Sequence, residues 1–183
     1  GVPVAGEIET RADHDYFAFE AEAGRIYRGA ITRTGLSDGV IGLFGPDGAR
    51  IRESDSPESI TYEFDAAGTY FFRVRHYSTT RTGGYTFTLT DEGTDDHGDD
   101  VETATPTVPG EEPMLGRIET PGDHDYFGFE AEVGRIYRGA VTRDGLSDAV
   151  IALYGPDGDR IRESDSPEYI GFEAEIPGRY AFR

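Results

Sequence analysis

Gly68-Thr-Tyr-Phe-Phe-Arg-Val-Arg-His76, a short polar loop, and then Gly83-Gly-Tyr-Thr-Phe-Thr-Leu-Thr90 make up the stretch that decides the fold. Tyr70, Phe72 and Val74 recur at every second position, and so do Tyr85, Phe87 and Leu89, the latter three alternating with Thr. A period of two is the signature of a strand with one buried face. Gly68 and Gly83-Gly84 stand just ahead of these runs, where a chain turning into a strand benefits from access to positive φ. Outward from this stretch the pattern continues in Phe17/Phe19 and in Ile60/Tyr62/Phe64, with Gly45-Pro-Asp-Gly48 as an explicit turn between two runs. No segment carries a helical period. Roughly eight short strands at close spacing predict an all-β chain built as an antiparallel β-sandwich of the jelly-roll kind.

Self-comparison shows the sandwich pattern twice. Gly6-Glu-Ile-Glu-Thr10 recurs as Gly116-Arg-Ile-Glu-Thr120, an offset of 110 residues. The offset then holds through Asp13-His-Asp-Tyr-Phe17 and Asp123 to Phe127, through Gly24 to Ala30 and Gly134 to Ala140, and through Ile51 to Glu58 and Ile161 to Glu168. A fixed-offset match of this length reads as a tandem duplication. The expected organisation is a first module over residues 1–90, an acidic junction over 91–113 that is too polar to enter a core, and a second module over 114–183. The second copy stops at Arg183, the counterpart of Arg73, so it has no equivalent of Val74 to Thr90. A sandwich lacking its last strands exposes an edge and apolar surface. The expectation is that the polypeptide runs on, or that a neighbouring chain fills the gap.

Charge bounds the partners. With 36 acidic and 17 basic residues the formal net charge is −19, so nucleic acid and anionic membranes are repelled at long range. Every basic residue apart from the histidines is Arg, and there is no Lys, Asn or Gln. A GC-rich genome or a high-salt habitat accounts for that balance as well as cation binding does. The absence of Cys removes disulfides and thiolate metal sites, and no apolar run is long enough to span a bilayer as a helix.

The succession Gly-x-Ile, Asp-x-Asp-Tyr-Phe-x-Phe, Ala-Gly-x-x-Tyr, Gly-x-Tyr-x-Phe and Gly-Gly-Tyr-Thr-Phe-Thr-Leu resembles the bacterial pre-peptidase C-terminal domain, a secreted β-sandwich found beside extracellular proteases and in tandem in surface proteins. Asp95-Asp-His-Gly-Asp99 ahead of Ala104-Thr-Pro106 is similar to the acidic lead-in of such domains. The resemblance implies a non-catalytic module at the cell surface or outside it, in which Ca²⁺ sits near the start of the domain in some members.

The residues themselves offer one candidate centre. Ca²⁺ takes six to eight oxygen ligands, and Asp95, Asp96, Asp99 and Asp100 supply carboxylates within a few positions. If that segment folds back on its own module it meets Asp123 and Asp125, whose first-copy equivalents are Asp13 and Asp15. A solvated linker and simple turn capping by these Asp residues are the competing readings. His14 and His124 fall on the opposite face and read as surface residues. Gly35-Leu-Ser-Asp-Gly39 matches the nucleophile elbow, but no helix follows it and the second copy reads Gly145-Leu-Ser-Asp-Ala149, so no enzyme is expected. None of the four histidines, His14, His76, His97 and His124, has an evident serine and carboxylate partner in the sequence. The loop from His76 to Gly84 offers Tyr77 and Arg81 to a ligand, and Tyr62 and Tyr70 read as half-buried packing residues with their hydroxyls near solvent. Two functions follow from this reading. One is a binding or docking accessory of a secreted protein, stiffened by Ca²⁺ and engaging an extracellular polymer or protein. The other is a structural link, with neighbouring copies joined head-to-tail in an array, stalk or filament.

Overall fold

The computed structural model describes residues 1–183 and is all-β, without helices. Its residues group into two units, Gly1–Asp95 with Glu119–Pro121, and Asp96–Ile118 with Gly122–Arg183.

The first unit contains β1 (Val4–Ile8), β2 (His14–Ala21), β3 (Arg25–Arg33), β4 (Gly39–Phe44), β5 (Arg50–Ser54), β6 (Ser59–Phe64), β7 (Gly68–His76) and β8 (Gly83–Gly93). One sheet has the order β1-β8-β3-β6 and the other β2-β7-β4-β5, with all neighbours antiparallel. Strands β1 and β8, β2 and β7, β3 and β6, and β4 and β5 are therefore partners, as in a long antiparallel ribbon wrapped into two layers. This is the jelly roll that the strand count predicted. The two periods of alternation point inward where expected: Tyr70, Phe72 and Val74 of β7 and Tyr85 and Phe87 of β8 are buried. Within one sheet Phe19 of β2 stacks on Phe72 of β7 at 5.4 Å, and between the sheets Phe17 stacks on Phe87 at 4.3 Å. Gly29 of β3 is small because the Phe72 ring fills its place: a Cβ there would stand 2.5 Å from that ring. Each fully buried aromatic of this core contributes about 1.5–3 kcal/mol of burial.

The second unit contains β9 (Thr105–Pro106), β10 (Phe127–Ala131), β11 (Ile136–Ala140), β12 (Ile151–Tyr154), β13 (Arg160–Ser164), β14 (Tyr169–Glu173) and β15 (Gly178–Phe182). Three of the ribbon's partnerships return at the 110-residue offset, β10 with β15, β11 with β14 and β12 with β13. The fourth, that of β1 with β8, has no counterpart here. Strand β9 of the acidic segment instead adds parallel to β10 at the edge of the sheet β13-β12-β15-β10-β9, while β11 and β14 form a sheet by themselves.

Three details depart from the sequence reading. Strand β8 runs past Thr90 to Gly93, because backbone pairing with β3 needs no apolar side chain and Asp91 is held by Arg25 at 2.6 Å. The segment beyond Asp95 is not a bare polar junction: His97 and Ala104 are buried within the second unit, His97 against the edge of the Phe127 ring at 4.5 Å. Tyr70 is buried and not half-buried, and its hydroxyl donates to the Ala66 carbonyl at 3.1 Å.

Candidate functional site

In the first unit β1 ends at Ile8 and the chain turns through Glu9–Asp13 into β2. The turn is tight enough to place Ala12 at φ 59°. Asp13 organises it, since its Oδ2 accepts from the Glu9 N–H at 3.2 Å and its Oδ1 from the His14 N–H at 2.9 Å. Turn capping is thus one role of Asp13. The same geometry brings carboxylate oxygens of Glu9, Asp13 and Asp15 within 4.8 Å of one another. The hydrogen bond that Glu9 shares with Asp13 raises the Glu9 carboxyl above its ordinary range and lowers that of Asp13. Carboxylates this close repel one another, a repulsion that a cation held between them would relieve.

Asp15 is anchored differently. Its Oδ2 accepts from the Tyr85 hydroxyl at 2.5 Å, a bond from β8 in one sheet to β2 in the other. Burial pushes the Tyr85 phenol far up, and the adjoining Asp15 adds to the effect through its hydrogen bond and charge. Gly6 accommodates this side chain: a Cβ at Gly6 would lie 2.5 Å from the Tyr85 ring. Glu9 was not among the residues singled out from the sequence. Its signal was the Ile-Glu-Thr common to both copies, Glu9 in one and Glu119 in the other.

In the second unit the acidic segment does fold back along β10. The Tyr126 N–H donates to the Gly98 carbonyl at 3.0 Å, the Thr105 N–H to the Tyr126 carbonyl at 2.8 Å, and the His124 N–H to Asp99 Oδ1 at 3.2 Å. Asp96, His97 and Asp125 bring ligand-type atoms within 4.8 Å of one another. His97 is a strut in this arrangement. Its Nε2 faces the Leu115 carbonyl at 2.8 Å and must donate to it, which leaves Nδ1 to accept from the Thr105 hydroxyl at 3.0 Å. The one ring lone pair, on Nδ1, is then taken by Thr105, and oxygen donors from Asp96 and Asp125 are what the group offers a hard ion. Asp100 departs from the expected set, because its Oδ1 accepts from the Thr103 N–H at 2.7 Å and the Thr103 hydroxyl at 2.8 Å, closing a local turn. Those bonds hold its carboxyl below the usual range. Asp95 and Asp123 are half-buried, and His14 and His124 are exposed as expected.

The serine motif acquires a partner that the sequence did not reveal. Ser37 Oγ lies 2.9 Å from Nε2 of the buried His76. The Ser78 N–H donates to His76 Nδ1 at 2.8 Å, so the proton of the neutral ring sits on Nε2 and is donated to Ser37. A general base needs the opposite tautomer, with a carboxylate on Nδ1. The backbone N–H groups of Thr34, Gly35 and Leu36 all converge on the Gly84 carbonyl, at 3.0, 2.8 and 2.8 Å. The donors that would stabilise an oxyanion are therefore spent on fastening this loop to the head of β8. The loop is a structural clamp.

No family model and no curated protein matches the chain. Among solved structures, the crystal structure of Aeromonas hydrophila PliG, a periplasmic lysozyme inhibitor of g-type lysozyme, is similar at 19% identity, over 50% of this chain and 85% of that one, with a TM-score of 0.44.

Proposed function

We propose that this chain is a non-catalytic module of an extracellular protein that acts by binding, and that the acidic turn ahead of β2 holds Ca²⁺. The observation that carries the ion is the convergence of the carboxylate oxygens of Glu9, Asp13 and Asp15 within 4.8 Å of one another. Carboxylate, water and backbone oxygens are the donors Ca²⁺ prefers, and modules of extracellular proteins hold it with Kd about 0.1–1 mM. Asp96 and Asp125 make the comparable pair in the second unit. The order of motifs shared with pre-peptidase C-terminal domains supports the extracellular setting. The formal charge of −19 favours a neutral or basic polymer or protein as the larger ligand over nucleic acid. An ion bridging β1 and β2 would stiffen the turn between the sheets, so that the sandwich presents its loops, Tyr77 and Arg81 among them, from a rigid frame.

Calorimetric titration of the full chain with CaCl₂, paired with amide shifts of residues 9–15, tests the reading. Because metal binding needs deprotonated ligands, affinity should fall as pH drops through the carboxylate range. Glu9→Gln removes the carboxylate's charge while keeping the side chain's shape, and should weaken binding. No heat and no shift changes at 10–15 at several times about 1 mM Ca²⁺ would refute the ion.

A further inference from the structure

A cleft of about 180 Å³ lies on the sheet β2-β7-β4-β5 of the first unit. It is lined by Val40 of β4, Glu53 and Ser54 of β5, Asp55 of the turn that follows, Arg75 of β7 and Tyr77 just beyond that strand. Strands β4 and β7 are paired on both sides here, so the cleft is not a gap left by an absent strand. Pockets for drug-sized ligands begin at about 300 Å³, so this one has room for a single small ring. Its polar wall is held in place. Glu53 accepts from Arg73 Nη2 at 2.5 Å and from Arg75 Nη2 at 3.2 Å, and Arg50 Nη1 lies 3.4 Å from it. The side chains of Glu53 and Arg75 are 24% and 22% exposed, sheltered yet within reach of a ligand.

Tyr77 is 59% exposed, on a backbone that is fastened from several sides. Its N–H donates to the Asp38 carbonyl at 3.2 Å, and Arg75 Nη1 donates to the carbonyls of His76 and Tyr77 at 3.2 and 3.4 Å. The next residue is tied down as well, since the Ser78 N–H donates to Nδ1 of the buried His76. The ring is therefore presented to solvent from a fixed base. A tyrosine with two side-chain torsions on such a base loses little entropy when a ligand covers it, which is why rigid aromatics dominate recognition surfaces. The strut of His76 between Ser37 and Ser78, which serves no catalysis, acquires a purpose here: it holds the segment that carries Tyr77.

Charge selects the ligand. At the cleft three positive groups, Arg50, Arg73 and Arg75, stand against two negative ones, Glu53 and Asp55. The local surplus disfavours a cation, and the field of a chain of net charge −19 disfavours an anion. What suits the site is an uncharged molecule with an apolar face for the tyrosine ring and paired hydroxyls for a carboxylate and a guanidinium. We infer that this cleft binds one neutral pyranose unit of an extracellular polysaccharide. The C–H face of the sugar lies on the Tyr77 ring, and its vicinal hydroxyls donate to Asp55 and accept from Arg75. The site presupposes the binding role proposed above and gives it a substrate class, but it needs no ion in the acidic turn.

An array of neutral and acidic oligosaccharides, probed with the full 183-residue chain in EDTA, is the first test. Neutral oligosaccharides should be retained and acidic ones not. The neutral oligosaccharide retained best is then titrated into the chain, with saturable amide shifts expected at residues 53–55 and 75–78 and none at 9–15. Tyr77→Ala should weaken binding about tenfold or more, as loss of an aromatic anchor does, while Tyr77→Phe keeps most of the affinity. Because the Tyr77 side chain is exposed, the amide spectrum of Tyr77→Ala should match that of the parent away from the cleft, which separates lost contact from lost fold. Asp55→Ala should weaken binding several-fold. Retention of acidic glycans alone, shifts confined to other residues, or an undiminished affinity in Tyr77→Ala overturns the cleft and leaves the binding role standing. If no glycan is retained the cleft is overturned too, and if CaCl₂ also gives no heat the binding role falls with it.

Discussion

Replacing Tyr85 by Phe removes one oxygen from the most consequential polar bond in the first unit. The ring stays in place against Phe17, at 6.4 Å between centroids, and over Gly6, so packing is conserved. What is lost is the hydroxyl's 2.5 Å bond to Asp15 Oδ2. A hydrogen bond to a charged group contributes about 1.5–3 kcal/mol. Asp15 is only half-buried and can take up water on the removal of its partner, which places the expected loss near the lower figure, about 1.5 kcal/mol at pH 7. The pH dependence is the sharper test. The folded-state pKa of Tyr85 lies well above that of an unfolded tyrosine at about 10, so above that pH the unfolded state has lost a proton that the folded state keeps. Stability contributed by Tyr85 is complete below about pH 10 and falls by about 1.4 kcal/mol for each further pH unit. The Phe variant has no such ionisation. Urea unfolding followed on amide resonances of β2 and β8 should show the two proteins separated at pH 7 and converging at pH 11, with tyrosinate absorbance at 295 nm reporting the ionisation. Equal stability at pH 7, or a constant gap from pH 7 to 11, would refute the account of this bond.

Three further changes probe the cores and an outer face. Gly29→Ala places a Cβ 2.5 Å from Phe72, which is fully buried and cannot yield, for a cost of about 1–3 kcal/mol; Gly139→Ala meets the half-buried Phe182 at 2.7 Å and should cost less, as thermal melts of the two variants will show. Glu53 is raised by burial but lowered more by Arg75, Arg73 and Arg50, so its net shift is downward. Its contribution is present above about pH 4.3, the unfolded value, and is lost as pH falls through the lower folded value. Glu53→Gln should cost about 1–3 kcal/mol at pH 7 by leaving Arg73 and Arg75 without their carboxylate, and should flatten the acid limb of a stability profile measured by urea unfolding.

Strands β2, β6, β7 and β8 were legible because each carries an alternating aromatic or aliphatic face that only a two-sheet core can bury. Strand β5 was not: Arg50-Ile-Arg-Glu-Ser54 is an edge strand whose side chains are largely exposed, so no apolar period marks it. Within the acidic turns, Asp13 and Asp15 stood out by their spacing, while Glu9 did not, because its approach depends on how β1 hands over to β2. Asp100 was grouped with its acidic neighbours by proximity in sequence. The Asp-x-x-Thr pattern at Asp100 and Thr103 is the local signal that it would cap its own turn.

By itself the sequence determined the class of fold, the places of the main turns, the 110-residue offset and the strongly acidic character, since periodicity, glycine placement and charge are properties of neighbouring residues. Tertiary structure alone decided which strands become partners, that the serine loop is clamped to Gly84, and that His76 carries its proton on Nε2. Each of these depends on groups far apart in the chain meeting across a sheet or between sheets. Short-range patterns record which side of a strand is buried, but not which strand lies beside it.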